Sequence, residues 1–418
     1  MTSEHGVEQG AIPHEGGPEQ LVPIPGERGF RTRLLAMFLA RMALNTSFRI
    51  IYPFLPSIAR GLGISLAQAG GLISLRMAGS LAAPFLGPLV DRYGRRRSMA
   101  FALCAFTLAT LLLAGVGTLL AAAAAFLLIG LAKAIYDPAV YAYLGDTVPY
   151  QRRGRVTGFL ELSWSLGWLV GVPASGFLIE RLGWRAPWAF LAAWGFLGVW
   201  LVQFGVPLAS PGAARVRLRT MVRAIGITWR GFLHRREVVV LLATGLLLTL
   251  ANEIPFIVYG GWLESSFGLS LSTLGLASSV VGMADAAAEL GAMAFVDRLG
   301  KRRSILTGLS GLAASLILLP GLARFGLLPT LAGVVLMMLT FEFGIVSLLP
   351  MATELAPEAR GSLFSLVVTT FSLGRILGAV VGGWLWTWQD IALHARVGAA
   401  CALLGALLLA WGVKEVGG

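Results

Sequence analysis

Apolar runs of 18 or more residues recur along this chain, separated by short breaks where glycine, proline and basic residues collect. A run of that length carries a helix through a hydrocarbon core about 30 Å thick. Twelve spans are bounded at approximately 34–58, 66–90, 98–118, 120–147, 155–180, 186–207, 238–263, 270–295, 304–321, 328–352, 361–388 and 395–413, and are numbered one to twelve below. The alternating segments of roughly 10 residues that mark a membrane barrel are not the pattern here. The chain is therefore expected to be an all-α integral membrane protein with 12 transmembrane helices.

Composition agrees. Of 418 residues, 56% are hydrophobic and 13% charged, where a soluble protein keeps charged residues near a quarter of the total. The net charge of +12 raises nucleic acid as a partner, but the placement of the charges argues against it. With residues at a span's end counted on the face they border, 23 of the 33 Lys and Arg lie on the side holding both termini, 5 on the other side and 5 within spans. The positive-inside rule puts both termini in the cytoplasm and the protein in the cell membrane. Cys104 and Cys401 fall in spans three and twelve and offer neither a disulfide framework nor a metal site. Residues 1–31 are polar and Glu-containing without the apolar core of a signal peptide, so a disordered cytoplasmic tail is expected.

The chain also repeats itself. "SLGWLVGVPASG" at Ser165 matches "SLGRILGAVVGG" at Ser372, "DRYGRRRS" at Asp91 matches "DRLGKRRS" at Asp297, and "LGIS" at Leu62 matches "FGLS" at Phe267, all at offsets of 205–207. Asp146-Thr-Val-Pro149 with Arg152 echoes Glu354-Leu-Ala-Pro357 with Arg360 at an offset of 208. Matches at nearly one offset predict two six-helix bundles, 32–208 and 238–418, as parallel repeats, because an even helix number preserves orientation. A basic cytoplasmic linker, 209–237, joins them and carries Arg215, Arg217, Arg219, Arg223, Arg230, Arg235 and Arg236.

The stretch "GPLVDRYGRRR", Gly87 to Arg97, resembles the cytoplasmic loop signature of the major facilitator superfamily, and it lies between spans two and three where that family carries it. The partial copy at Asp297 and Arg298 has Met293 in place of the glycine. The Pro149–Arg155 loop and "GWR" at Gly183 fit as well, so the resemblance covers about residues 32–413. It implies two bundles that rock about a central site, with drug- and metabolite-proton antiporters as the most similar members. It also implies that Gly87, Asp91, Arg92, Gly94, Arg95, Asp297 and Arg298 belong to the gate. Arg95 to Arg97 also suit anionic headgroups, and Gly94 a tight turn. Span five is similar to the glycine–proline motif of family antiporters, with Pro173 displaced by one position. The arginine those antiporters carry early in span four is replaced by Phe126. Gly167, Gly171 and Gly176, with Gly374, Gly378 and Gly382, have the small-xxx-small spacing that admits close helix packing.

Eleven ionisable residues lie within the spans away from their ends: Arg41, Arg49, Arg76, Lys133, Asp137, Glu161, Glu253, Asp285, Glu289, Glu342 and Arg375. Spans three, six, nine and twelve contribute none of them and are suited to face lipid. The first half supplies four bases and two acids, the second four acids and one base. A charge near a bilayer centre costs roughly 2.5–3.5 kcal/mol on insertion scales, so each requires a partner or a polar cavity. Arg41, Asn45 and Arg49, spaced i, i+4, i+8, line one face of span one. They are candidate substrate contacts, because a guanidinium matches a carboxylate or phosphate. The alternative is an interhelical pair with Asp137 or Glu253. Lys133, a further candidate substrate contact, and Asp137 share a face of span four with Tyr141 one turn on. Either they neutralise each other, or Lys133 reaches Glu342 across the interface while Asp137 turns to Arg41 or Arg49.

Glu253, Asp285, Glu289 and Glu342, with Asp137, are candidate proton carriers; the alternative is pairing with Arg76 and Arg375. Glu161 and Arg375 are placed in the gate. Tyr52, Tyr136, Tyr141, Trp164, Trp168 and Tyr259 suit stacking on a ligand or anchoring at the interface. The expected function is secondary active transport of a small organic compound, amphipathic or anionic, by alternating access with proton coupling. Export by antiport is the first expectation, and import of an organic anion by symport the alternative. A lipid scramblase or a sensor on the same fold is the rival class. No P-loop lysine, Gly-x-Ser-x-Gly or metal-ligand cluster points to an enzyme, to ATP or to a cofactor. Its partners are expected to be the substrate, protons and the bilayer, with the protein acting as a monomer.

Overall fold

The computed structural model of the chain describes residues 27–83, 86, 90, 93–207, 218–356 and 360–412. Among them every span is helical. Span one is Glu27–Arg49 with Ile51–Leu62, and span two is Leu66–Ser80 as far as it is continuously described. Spans three and four are Arg95–Gly115 and Leu119–Thr147. Span five runs through Tyr150–Leu166, a π-helical turn Gly167–Gly171 and Val172–Leu182, and span six is Ala186–Gly205. Span seven is Arg236–Phe256 with Tyr259–Phe267, and spans eight to twelve are Leu271–Leu299, Lys301–Leu322, Leu327–Leu355, Arg360–Leu385 and Ile391–Gly412. Ten of these helical stretches are long and apolar enough to cross a membrane, and the bent pair in span one makes eleven. With span two they form the 12-helix arrangement.

Two boundaries differ from expectation. Span one begins at Glu27, inside the segment read as tail, and the linker holds a helix, Leu218–Leu233. Span one is also not continuous. Its two parts meet at 64°, because Pro53 has no N–H for the Arg49 carbonyl and its ring crowds that turn. Span seven breaks at Ile257 and Val258, two residues after Pro255. The two breaks are related by the repeat. They place Arg49 and Tyr52 on one half, and Glu253 and Tyr259 on the other, beside interrupted helix at mid-membrane.

The repeat extends to backbone conformation. Gly63 and Gly268 end their helices at φ 66° and 60°, and Gly94 and Gly300 start theirs at 85° and 83°. Ser65 and Ser270 cap spans two and eight by accepting the N–H of Gln68 and Thr273. Gly183 corresponds to Gln389, the one described non-glycine residue at positive φ, 51°.

Spans three, six, nine and twelve have their main neighbours within their own half. Their outer faces leave Phe101, Leu108, Phe196, Trp200, Ile317 and Trp411 exposed, as a lipid-facing surface requires. The halves meet through spans one and seven, two and eleven, and five and eight. Of the six spaced glycines, Gly167 and Gly171 press on span one and Gly374, Gly378 and Gly382 on span seven, so five serve packing within a half. Gly176 alone of the six meets the other half, at Leu271.

Gly183 adopts φ 89°, ψ 168°, a region open essentially to glycine alone. Gly183→Ala is therefore expected to destabilise by about 1–3 kcal/mol. Gln389→Gly, which relieves a left-handed residue, is expected to hold or raise stability. Thermal unfolding of the two variants in detergent, compared with wild type, checks the opposite signs.

Candidate substrate and coupling site

The intramembrane charges gather into two groups. The first lies inside the first half. Arg41 is buried and its Nε meets Asp137 Oδ1 at 3.2 Å, its Nη2 meets Glu161 at 3.2 Å, and its Nη1 donates to the Leu160 carbonyl at 2.9 Å. Lys133 Nζ lies 2.8 Å from Asp137 Oδ2 and donates to Asn45 Oδ1 at 2.6 Å. Asn45 in turn donates to Ser163 Oγ at 3.0 Å. Tyr141 donates its hydroxyl to Glu161 and lies under the Arg41 guanidinium, 5.4 Å from ring centre to Cζ. Two bases and two acids thus neutralise one another through direct contacts, which lets spans one, four and five bury them together. Of the two readings for Lys133 and Asp137, the local one is observed: Lys133 holds Asp137, Asp137 also turns to Arg41, and the lysine's hydrogen bonds stay within the first half.

The second group bridges the halves at mid-membrane. Arg49 Nη2 meets Asp285 Oδ2 at 3.0 Å, with both side chains buried. The Arg49 guanidinium lies 3.7 Å from the Trp164 ring centre and 5.0 Å from that of Trp168, a desolvated cation–π contact worth about 2 kcal/mol. Tyr52 donates to Glu253 Oε1 at 3.0 Å. Phe256 packs at 4.8 Å on both Tyr52 and Tyr259, and Tyr259 donates to Ser278 Oγ at 2.9 Å. Glu342 and Arg375 stand within electrostatic range of each other, of Arg49 and of Asp285. Trp168 occupies the π-helical turn of span five, where Gly282 of span eight admits it; a Cβ on Gly282 would stand 2.6 Å from the Trp168 Cβ. Turns of this kind recur at functional sites.

Other bonds between the halves lie towards the face opposite the termini. Arg60 meets Glu264 at 2.7 Å, Ser272 N–H donates to Glu180 at 2.7 Å, and Ser74 donates to the Ile376 carbonyl at 3.2 Å. Beside Arg60 and Glu264 a cavity of about 460 Å³ opens, lined also by Pro56, Gly261 and Trp386. None of the eleven intramembrane charges lines it. Towards the termini, bonds such as Arg95–Asp146 (3.1 Å) and Lys301–Glu354 stay within one half, and Glu161 and Glu289 are only partly covered. Among the described residues, the polar bonds given above between the halves lie at mid-membrane and towards the far side.

The family model described as Major Facilitator Superfamily matches residues 35–261 and 241–416. The chain belongs to the major facilitator superfamily. Among its relatives, the uncharacterized MFS-type transporter YwfA of Bacillus subtilis (strain 168) is 26% identical over 394 residues, 92% of either chain. Multidrug resistance protein 2 of the same organism is 25% identical, covering 82% of this chain and 86% of its own. Among solved structures, that of a D-xylose-proton symporter superposes with a TM-score of 0.71 at 17% identity, covering 92% of this chain and 98% of the other. The protein is a secondary transporter of this superfamily.

Of the superfamily's loop signature, Gly94 turns at φ 85° and Arg95 bonds Asp146. Gly87, Asp91 and Arg92 lie outside the described residues, as does the side chain of Asp297, while Arg298 is exposed at the end of span eight. Phe126, where superfamily antiporters carry an arginine, is fully buried against Trp188. Tyr136 stands apart from the candidate ligand contacts: it is fully buried and donates its hydroxyl to the Met37 carbonyl at 3.0 Å, so it ties span four to span one. Arg76, treated above only as a possible partner for acids, is fully buried at the heart of the second group. Its signal in the sequence was that span two holds no acid to neutralise it.

Asp137 bridges two cations and is mostly covered, whereas Glu161 keeps 46% of its side chain exposed. Asp137→Ala is therefore expected to destabilise the first half by about 3 kcal/mol, the scale for stranding a buried partner. Glu161→Ala is expected to cost under about 1 kcal/mol. Unfolding free energies of these two variants check the contrast, and Arg41→Ala, Asp137→Ala and the double variant close the cycle that measures the Arg41–Asp137 coupling.

Proposed function

We propose that this transporter is a proton symporter for a small organic anion or amphipathic acid, working by alternating access between the two halves. One observation carries the reading. Two buried carboxylates of the second half, Asp285 and Glu253, are each held by a first-half residue, Arg49 or Tyr52. With the termini cytoplasmic, as the charge bias indicates, the bonds between the halves beyond mid-membrane lie on the external side. Opening the external face draws span one away from spans seven and eight: Asp285 loses its cation, Arg49, while Glu253 loses only the neutral Tyr52 hydroxyl and keeps Arg375 in range. An ionised carboxylate left alone at that depth costs several kcal/mol, so it takes up a proton from the side then exposed. Closing again restores the pairs and releases the proton inwards. An anionic substrate adds one negative charge and the proton cancels it, so the loaded interface closes without a net buried charge.

Packing of Phe126 against Trp188 favours symport over antiport, because the antiporters' arginine position is here part of an apolar core. A second reading, efflux by antiport, draws on the resemblance to Multidrug resistance protein 2 over 86% of that chain and on the π-helical turn in the antiporter-like part of span five.

Purified protein in liposomes, given an inward proton gradient and a panel of radiolabelled organic acids, is expected to accumulate substrate. Asp285→Asn is expected to retain exchange at equal concentrations while losing gradient-driven accumulation. Uptake indifferent to the proton gradient and driven by sodium would overturn the proposal, and extrusion driven by the same gradient would establish the second reading.

A further inference from the structure

Arg76 is fully buried and no carboxylate touches its charge; among the described intramembrane bases only the half-buried Arg375 shares that lack of a contact pair. The Arg76 side chain is inaccessible; Nη1 donates to the Phe48 carbonyl at 2.9 Å, and the Tyr52 hydroxyl is a polar neighbour of the guanidinium that makes no aligned bond to it. Nε and Nη2 have no partner. These two nitrogens form one edge of the guanidinium plane, the two-donor fork that a carboxylate accepts side-on. The face of the plane is already covered, with Phe48 at 4.3 Å and Tyr52 at 5.6 Å. What is left without an aligned partner is the edge with the geometry of a bidentate oxyanion site.

The surroundings hold that edge in place. Gly130 lets span four press on the Arg76 backbone at its carbonyl, which a Cβ there would not permit. Phe48 fixes Nη1 from span one. Glu253 is within electrostatic range, but it accepts the Tyr52 hydroxyl instead. Leaving a buried donor unpaired is unfavourable, the more so when the group is charged. Such an edge is retained when something fills it for part of the working cycle.

We infer that the Nε–Nη2 edge of Arg76 is the anchor for the substrate's carboxylate, and that the substrate is a monocarboxylate on a planar, apolar body. A single negative charge is specified because the fork accepts one carboxylate, and a second charge would add to that of Glu253, which Arg375 already faces. The planar body follows from the aromatic surface around the fork: Phe48, Tyr52 and, beyond Tyr52, the Phe256–Tyr259 stack at 4.8 Å. Arg76 so acts as a specificity-determining residue, and the inference rests on the carrier reading above for its place in the cycle.

The test is binding to purified full-length protein, with benzoate and hexanoate set against benzamide and hexanamide. Acids are expected to raise the melting temperature in a saturable way, with benzoate ahead of hexanoate. Truncating one partner of a buried charge-assisted pair costs 2–5 kcal/mol, so the amides are expected to bind weaker by about 30-fold or more. Arg76→Gln should lose the discrimination between acid and amide while melting, without ligand, no lower than wild type. Arg76→Lys, which keeps the charge without the fork, should bind benzoate weaker by about 10-fold.

Equal binding of acid and amide to wild type would overturn the assignment, as would unchanged benzoate affinity in Arg76→Gln. If Arg76→Gln and Glu253→Gln instead lower the melting temperature equally and acids are not distinguished, Glu253 is the fork's occupant and the assignment falls. Proton-driven flux in liposomes separates the two levels. Acid-selective binding without proton-driven flux supports the anchor and removes the symport reading. Proton-driven flux of a compound with no carboxylate, unaffected by Arg76→Gln, does the reverse.

Discussion

A charge inside the membrane must be met by an opposite charge or by hydrogen-bonding groups, and the ion pairs that do this most directly organise the rest of the structure. Asp137 shows it most plainly. It takes Arg41 at 3.2 Å and Lys133 at 2.8 Å, and Glu161 of span five also meets Arg41. Three helices are pinned by one neutral cluster, and the first half becomes a unit with its own internal charge balance. The halves are joined differently. Arg49–Asp285 and Tyr52–Glu253 link them through single bonds, so the contact between the units is the one that can be exchanged without dismantling either.

Interrupted helices give these residues their position. Pro53 breaks span one beside Arg49, and span seven breaks just after Pro255, close to Glu253. A broken helix at mid-membrane is tolerated where it lies buried in protein or lines a cavity, since free backbone groups need partners. Here the breaks face each other across the interface, and Phe256 fills the space between Tyr52 and Tyr259. The π-helical turn at Gly167–Gly171 does a related thing in span five, turning Trp168 towards Arg49 and Phe256.

The superfamily resemblance carries the fold and the class of function, while the chemistry of the cargo is carried by side chains that the resemblance does not cover. The loop signature concerns the gate. Arg76, Phe48 and Glu253 belong to no such signature, and their relation emerges only when spans one, two, four and seven are placed together. A carrier needs binding groups that are unmatched when empty and matched when loaded, and Arg76 has that character because its neighbours engage one nitrogen and leave an edge.

By itself the sequence determined the twelve spans, their repeat and the four lipid-facing helices, because apolar length and charge placement answer to the bilayer and not to distant contacts. It also determined which residues were anomalous: every charge now seen in the two clusters stands out as a polar position in an apolar run. Partner choice was beyond it. That Lys133 keeps Asp137 instead of reaching Glu342, that Tyr136 turns to the Met37 carbonyl, and that an edge of Arg76 is left without an aligned partner all depend on how helices far apart in sequence are rotated against one another. A helix presents the same residues whichever way it is turned. Only packing against five or six neighbours fixes the turn, and with it which charges meet and which remain free to bind.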